Sequence, residues 1–310
     1  MEQSPQNAFR SGFIAIIGCP NAGKSTLLNR LVGQKIAIVT DKAQTTRTRI
    51  TGILTHPDCQ MIFLDTPGMT EPRNKLGAFM QKTAEESTRD VDAILFLVDA
   101  RHPNHERDTE IISRLTRGKT PLIIALNKAD IAGEDRLQNL REQFAAIAPK
   151  HEIINISAKT GAGVDELEAL LRPLMPHGPL YYPADQVTDQ PERTICAEMI
   201  REKALLFLRD EIPHGLGVSI EKMENRGDGG KPENGDLWDV WASIYCEHER
   251  HKGMVIGKQG IMLKKIGTAA RRDIEWLLDA RVNLQLWVKT KNDWRNKPSI
   301  LAELGYHDKL

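Results

Sequence analysis

The sequence predicts an α/β chain of two modules, a doubly wound, mostly parallel sheet followed by a smaller α+β domain. Three observations carry this. Short aliphatic runs at 13–17, 60–64, 93–98, 122–126 and 153–156 are mostly separated by helix-length amphipathic segments, the alternation that builds a sheet with helices on both faces. Gln60 and Asn155 apart, the runs are apolar throughout, as strands covered on both sides require. At 310 residues the chain is long enough for two separate cores.

In the first module each aliphatic run reads as a strand whose carboxyl end is the place for a ligand. A last helix over 164–174 is followed by Pro173, Pro176, Gly178 and Pro179 and then Tyr181-Tyr182-Pro183, a stretch that breaks both periodicities. The boundary falls there, giving a first domain over 9–176, a linker over 177–190 and a second domain over 191–310 with a C-terminal extension. The second domain reads as helix (192–208), strand (216–222), strand (238–247), two helices and strand (282–288), the order αββααβ. Between its first two strands, residues 225–235 offer no apolar side chain to bury, so a mobile hairpin loop is predicted there.

Lys+Arg and Asp+Glu both number 42, so the net charge is zero and any polyanion-binding surface must be local. Cys19, Cys59, Cys196 and Cys246 form no C-x-x-C pair for zinc or redox work, which suits a reduced compartment. The longest apolar runs fall far short of the roughly 18 residues that span a membrane. The first ten residues lack the apolar core of a signal peptide. A cytoplasmic protein without a transmembrane segment is expected.

Gly18-Cys19-Pro20-Asn21-Ala22-Gly23-Lys24-Ser25 fits G-x-x-x-x-G-K-S, directly after a strand and before a helix expected from Thr26. Such a turn surrounds phosphates with backbone N–H groups at a helix N-terminus. Lys24 then reaches the β and γ phosphates, and Ser25 offers a hydroxyl to Mg²⁺. Asp65-Thr66-Pro67-Gly68 closes the second run, where the carboxylate holds Mg²⁺ through water and Gly68 leaves its N–H for the γ-phosphate. Asn127-Lys128-Ala129-Asp130 follows the fourth run. A carboxylate there accepts from the N1–H and exocyclic amine of guanine, donors that adenine lacks on that edge. Ser157-Ala158-Lys159 ends the next strand, its N–H groups suited to the guanine carbonyl oxygen. Each of the later motifs is weak alone, but four in this order at strand ends point to GTP over ATP. Cys19 is a variable position of the phosphate loop and no nucleophile.

Together these residues resemble the translation-factor-related branch of P-loop GTPases. In that family the polar stretch 44–49 is the first switch loop, with Thr46 as the second Mg²⁺ hydroxyl and Thr45 as the alternative. Lys24, Thr46 and Gly68 would then be the catalytic and switch residues. Where Ras-like GTPases orient water with glutamine, this chain has Met69. Intrinsic turnover is therefore expected to be slow. Asn21 is a candidate for seating a monovalent cation, K⁺, against the phosphates, as in similar K⁺-stimulated GTPases. The other reading of Asn21 is a plain turn residue.

Gly257-Lys258-Gln259-Gly260 is a G-x-x-G step preceded by an apolar Val-Ile pair, and residues 251–272 hold six Lys or Arg and no acid. Lys258 is expected on phosphate, with Lys252, Lys264, Lys265, Arg271 and Arg272 around it. With the αββααβ order, this resembles a type II KH domain, an RNA-binding fold in which glycines let RNA approach the backbone between two helices. Trp238, Trp241, Trp276, Trp287 and Trp294 are expected in the core, and His248 and His251 lack metal-ligand companions. No metal site is assigned to protein histidines.

A GTPase domain joined to one type II KH domain resembles the Era-type ribosome-assembly GTPases of the TrmE-Era-EngA-like family. The phrases at 42–47, Ile200-Arg201-Glu202-Lys203, 286–289 and 304–306 strengthen the match. The resemblance implies binding of 16S rRNA near its 3′ end within the 30S subunit, a role in its maturation, and peripheral contact with the inner membrane. A monomer is expected. The rivals are a tRNA-modification or membrane-transport-linked GTPase whose second domain binds protein, and an idle GTP-binding scaffold.

Overall fold

Strand and helix boundaries in the computed structural model follow burial. The structure describes residues 9–42, 45–68, 72, 74–208, 215–226 and 236–306. It forms two units, the first falling in 1–37, 46–71 and 80–189, the second in 38–45, 72–79 and 190–310.

In the first unit, β1 (Arg10–Gly18), β3 (Cys59–Asp65), β4 (Ala93–Asp99), β5 (Leu122–Asn127) and β6 (Glu152–Asn155) run parallel, and β2 (Ile50–Thr55) pairs antiparallel with β3. The order is β2-β3-β1-β4-β5-β6. β2 was not legible as a strand in the sequence. The alternation in β1 shows the two-faced burial: Ile14 and Ile16 pack with α1 (Lys24–Val32) and α6 (Val164–Leu171), while Ala15 and Ile17 face the cluster that includes Ala84 of α2 (Lys75–Glu86), α3 (His105–Leu115) and α5 (Glu134–Ile147). The sheet is sealed by Leu27, Leu28 and Leu167 on one side and by Ile112, Leu140 and Phe144 on the other, each nearly or fully buried. The helix expected over 164–174 is α-helical only to Leu171 and tightens into a 3₁₀ turn over Arg172–Leu174, with Pro173 inside it, a form frequent at helix ends.

The stretch expected as a linker begins as part of this unit. Gln60 Oε1 accepts from the N–H groups of Tyr181 and Tyr182 at 2.9 and 3.0 Å. Ile53 N–H donates to the Val187 carbonyl at 2.9 Å, and Thr188 Oγ1 to the Thr51 carbonyl at 2.6 Å.

The second unit follows the expected order: α7 (Glu192–Phe207), β7 (Gly217–Asn225), β8 (Leu237–Cys246), α8 (Glu249–Ile256), α9 (Ile261–Leu278) and β9 (Arg281–Thr290), closed by α10 (Pro298–Glu303). β7 and β8 are antiparallel, β8 and β9 parallel. One face of the sheet packs Val240, Ala242 and Ile244 against Ile195 and Met199 of α7 and Ile266, Ala270 and Ile274 of α9. The hairpin residues 227–235 lie outside the described residues. Residues 38–45 join this unit: Val39 N–H donates to Glu202 Oε1 at 2.9 Å, and Arg201, wholly buried, donates to the Thr45 carbonyl.

The expectation for the tryptophans needs correction. Trp294 is fully buried, its indole N–H donating to the Gly215 carbonyl at 2.9 Å, but Trp276 and Trp287 are 61% and 42% exposed. The buried stripe of α9 runs at intervals of four through Ile266, Ala270 and Ile274, so a residue two positions on from Ile274 points away from it.

Candidate functional site: a phosphate loop, a buried carboxylate and a basic helix junction

The loop between β1 and α1 is shaped by its backbone. Asn21 (φ 63°) and Gly23 (φ 97°) are both left-handed. A Cβ on Gly23 would stand 2.2 Å from Asn127 Nδ2, so only glycine fits. The helix starts at Lys24, two residues before the expected Thr26, which places Lys24, Ser25 and Thr26 in its first turn, where N–H groups lack intrahelical partners. Lys24 Nζ donates to the carbonyls of Gly18 and Cys19, each at 3.1 Å. Burial lowers its pKa, opposed by the nearby Asp65 carboxylate.

Asp65, at the end of β3, is fully buried. Its Oδ2 accepts from Ser25 Oγ at 2.6 Å and from Thr46 Oγ1 at 3.4 Å, and the two hydroxyls are 2.8 Å apart. Among the described residues its Oδ1, also buried, has no hydrogen-bond partner within ordinary geometry. Burial pushes the Asp65 pKa up to about 6, against the opposing pull of Lys24 and the hydroxyls. An ionised carboxylate with an orphaned oxygen between two hydroxyls fits a hard cation with oxygen ligands. Thr45 is placed differently, its hydroxyl 2.7 Å from Thr40 Oγ1 and donating to the Lys42 carbonyl at 2.6 Å. Thr66 Oγ1 bonds the Ile16 carbonyl at 3.0 Å, and Pro67 is buried. At Gly68 a Cβ would come 3.1 Å from Pro20 Cα, so that backbone lies close to the phosphate loop. Met69 lies outside the described residues.

This geometry sets a stability prediction. The Asp65 pKa in the fold lies above that of an unfolded chain, so the fold favours the protonated acid. Stability from this group is present below about pH 4 and is lost as pH rises through about 6. Asp65→Asn is therefore expected to stabilise the nucleotide-free protein at pH 7.5 by on the order of 2 kcal/mol, with no gain at pH 4, while weakening Mg²⁺-dependent GTP-analogue binding. Thermal unfolding at the two pH values checks the first, titration the second.

On the base side, Asn127 faces the protein. Its Nδ2 donates to the Ala22 carbonyl at 2.7 Å and its Oδ1 accepts from Ala158 N–H at 2.9 Å, tying the phosphate loop to the Ser157-Ala158-Lys159 turn. Lys128 is left-handed (φ 66°), with Nζ 2.5 Å from Asp99. Ala129 N–H donates to the Ile156 carbonyl at 3.0 Å, and Asp130 stands exposed in the first turn of the short helix α4 (Ala129–Ala132). Ser157 is buried, its Oγ accepting from Thr160 N–H at 3.1 Å. Arg30 of α1 donates to the carbonyls of Ala158 and Lys159, a tie across at least 128 positions of sequence that leaves no local signal. The Cys19 thiol is pushed up to about 12 by burial and the adjacent Asp108, so it is no thiolate nucleophile.

In the second unit the G-x-x-G step joins α8 to α9. Gly257 and Gly260 are left-handed (φ 72° and 78°), as is Gln259 (φ 51°). A Cβ on Gly257 would stand 2.7 Å from that of Met262, so the helices meet closely only through glycine. Lys258, Gln259, Lys264, Lys265, Arg271 and Arg272 are exposed. Lys252 pairs with Glu249 at 3.3 Å, Arg271 with Glu275 at 3.7 Å, and Lys265 lies 4.3 Å over the Phe207 ring. Lys258, Lys264 and Arg272 thus carry the outward charge of the junction. His251 is largely buried against His248, and burial lowers its pKa. Among the described residues no group of three or more His, Cys, Asp or Glu could hold a metal, and no helix is long and apolar enough to cross a membrane.

Comparison with known proteins gives concordant matches. Residues 13–128 match the family model described as a 50S ribosome-binding GTPase, and residues 211–295 a KH domain. The chain is 48% identical to the GTPase Era of Ruminiclostridium cellulolyticum over 299 residues, covering 96% of this chain and 98% of that one. It is 48% identical to the GTPase Era of Clostridioides difficile, covering 97% and 100%. Among solved structures, a variant of Aquifex aeolicus Era bound to GDP·AlF4⁻ superposes with a TM-score of 0.90 at 38% identity, over 96% of this chain and 99% of that one. An Era complex with MgGDPNP and nucleotides 1506–1542 of 16S ribosomal RNA gives 0.90 at 39%, with the same coverage.

Proposed function

Because the chain belongs to the Era family of GTPases, a GTP-hydrolysing P-loop domain followed by a KH domain, we propose that it is a nucleotide-controlled RNA-binding switch. Its RNA is the 3′ region of 16S rRNA, and its work is maturation of the 30S subunit in the cytoplasm, with peripheral contact at the inner membrane. The observation supporting the GTPase chemistry is the convergence of Ser25 and Thr46 on the buried Asp65 beside Lys24. Mg²⁺ suits this set: Ser25 and Thr46 would ligate it and Asp65 would hold it through water, supplying charge neutralisation at the β and γ phosphates. Residues 18–26 cradle the phosphates. Asp130 reads the guanine edge, and backbone N–H groups of 157–159 meet its carbonyl oxygen.

For the RNA, support comes from the exposed Lys258 in a glycine-tight helix junction with an acid-free flank. GTP orders the segments around Thr46 and Gly68, which alters the surface available to RNA, and hydrolysis releases it. The test is affinity for a 16S 3′ fragment with GTP analogue or GDP bound, beside multiple-turnover hydrolysis. Equal affinity in both states would defeat the switch, and absence of turnover would leave a scaffold.

Asn21, left-handed and exposed in the phosphate loop, is proposed to seat K⁺ against the phosphates. Turnover in K⁺ buffer is expected to exceed that in Na⁺ buffer, and equal rates would remove the assignment.

A further inference from the structure

The phrase Ile200-Arg201-Glu202-Lys203 takes no part in the chemistry above, yet three of its side chains form a buried polar cluster. Arg201 is fully buried, and Glu198 holds its guanidinium, with Nε to Oε1 at 2.8 Å. From that fixed position it donates to the main-chain carbonyl of Thr45. Glu202, 2% exposed, accepts from Val39 N–H. Lys203 bridges Glu202 at 2.9 Å and Asp273 of α9 at 2.6 Å, and α9 begins at the G-x-x-G step.

The segment these groups hold has no helix or strand among its described residues, so its path depends on what grips it. Its start is fixed by Asn29, whose Oδ1 accepts from Ile36 and Ala37 N–H at 3.0 and 2.9 Å. Its later part is gripped at Val39 and Thr45, and Thr45 is drawn to Thr40 and Lys42 by its own hydroxyl. The next residue is Thr46, whose hydroxyl stands at Ser25 and Asp65. A buried charge costs desolvation unless paired, and Arg201 directs its paired charge at the peptide that delivers Thr46.

We infer that Arg201 is a positioning residue for Thr46. Anchored on the first helix of the KH domain, it holds the Thr45 carbonyl so that the neighbouring hydroxyl is preorganised for Mg²⁺·GTP. Through Lys203 and Asp273 the same cluster reaches the helix that follows the RNA-contacting loop. The inference rests on Thr46 as the second Mg²⁺ hydroxyl.

The test uses the full-length chain with Arg201→Met, Thr46→Ala and the double variant, reading the affinity of a fluorescent non-hydrolysable GTP analogue against free Mg²⁺. Loss of a group that orients a metal ligand typically costs about ten- to a hundredfold in metal affinity. Arg201→Met is thus expected to raise the half-saturating Mg²⁺ concentration about tenfold, to leave GDP affinity in EDTA unchanged, and to add nothing to Thr46→Ala. Should Arg201→Met fail to fold, Glu198→Ala, at a partly exposed site, frees the guanidinium and is expected to shift Mg²⁺ dependence the same way. Unchanged Mg²⁺ dependence in the folded Arg201 or Glu198 variant, or a double variant losing the product of both single effects, would overturn the inference while Thr46→Ala retains its effect. A silent Thr46→Ala would remove the Thr46 assignment itself, and the inference with it.

Discussion

Asp130→Asn is expected to lower GTP affinity at least about a hundredfold and to transfer preference to xanthosine triphosphate. A carboxylate satisfies two guanine donors at once, whereas an amide offers one acceptor and turns a donor toward the guanine amine. Sites built to pair a specific polar edge reject a mismatched partner by factors of 10⁴ or more in favourable cases. Xanthine carries a carbonyl where guanine carries that amine, so the amide finds an acceptor again. Asp130 is exposed at the first turn of a four-residue helix, so the substitution leaves the core intact. Unchanged melting temperature with exchanged nucleotide preference, read by competition titration, is the expected result. Retained GTP preference would show that the base is read elsewhere.

The combined change Lys258→Asp with Gln259→Asp is expected to weaken binding to the 16S 3′ fragment about a hundredfold near physiological salt. It should also reduce the slope of log K against log salt by about 1 to 2. Both residues are exposed. Gln259 occupies left-handed backbone, a conformation aspartate tolerates better than most residues. The variant therefore changes charge at the helix junction without straining it. GTP-analogue affinity and RNA-free turnover should stay at the unsubstituted level. A variant that binds RNA normally would mean the basic junction is merely a solvated face.

How much of this was legible depended on whether a residue's role is set by its neighbours in sequence. The phosphate loop, Asp65 and the Asn127–Asp130 turn each close a largely apolar parallel strand, so their placement at strand ends could be read directly. β2 could not, because Ile50–Thr55 interleaves threonine and glycine with its aliphatics and runs antiparallel at an edge. Trp287 was misassigned although the signal existed. Val282, Leu284, Leu286 and Val288 pack on the core at intervals of two, which turns residue 287 to the other face. The choice of Thr46 over Thr45 at Asp65 had no local signal, since both sit in one polar stretch. Nor had the hold of Arg201 on Thr45, 156 positions away in sequence. Such pairings are made only when the chain closes on itself.

The antiparallel edge also bears on where the first domain ends. An open edge strand is a template for addition of foreign strands, and Ile53 of β2 directs its N–H to the Val187 carbonyl while Thr188 occupies the Thr51 carbonyl. Residues after 176 therefore act as a selvedge, a finished border that keeps the sheet from fraying into its neighbours. A GTPase fragment cut at 189 carries that border. One cut at 176 leaves the weave open, and self-association at micromolar concentration is its expected fate.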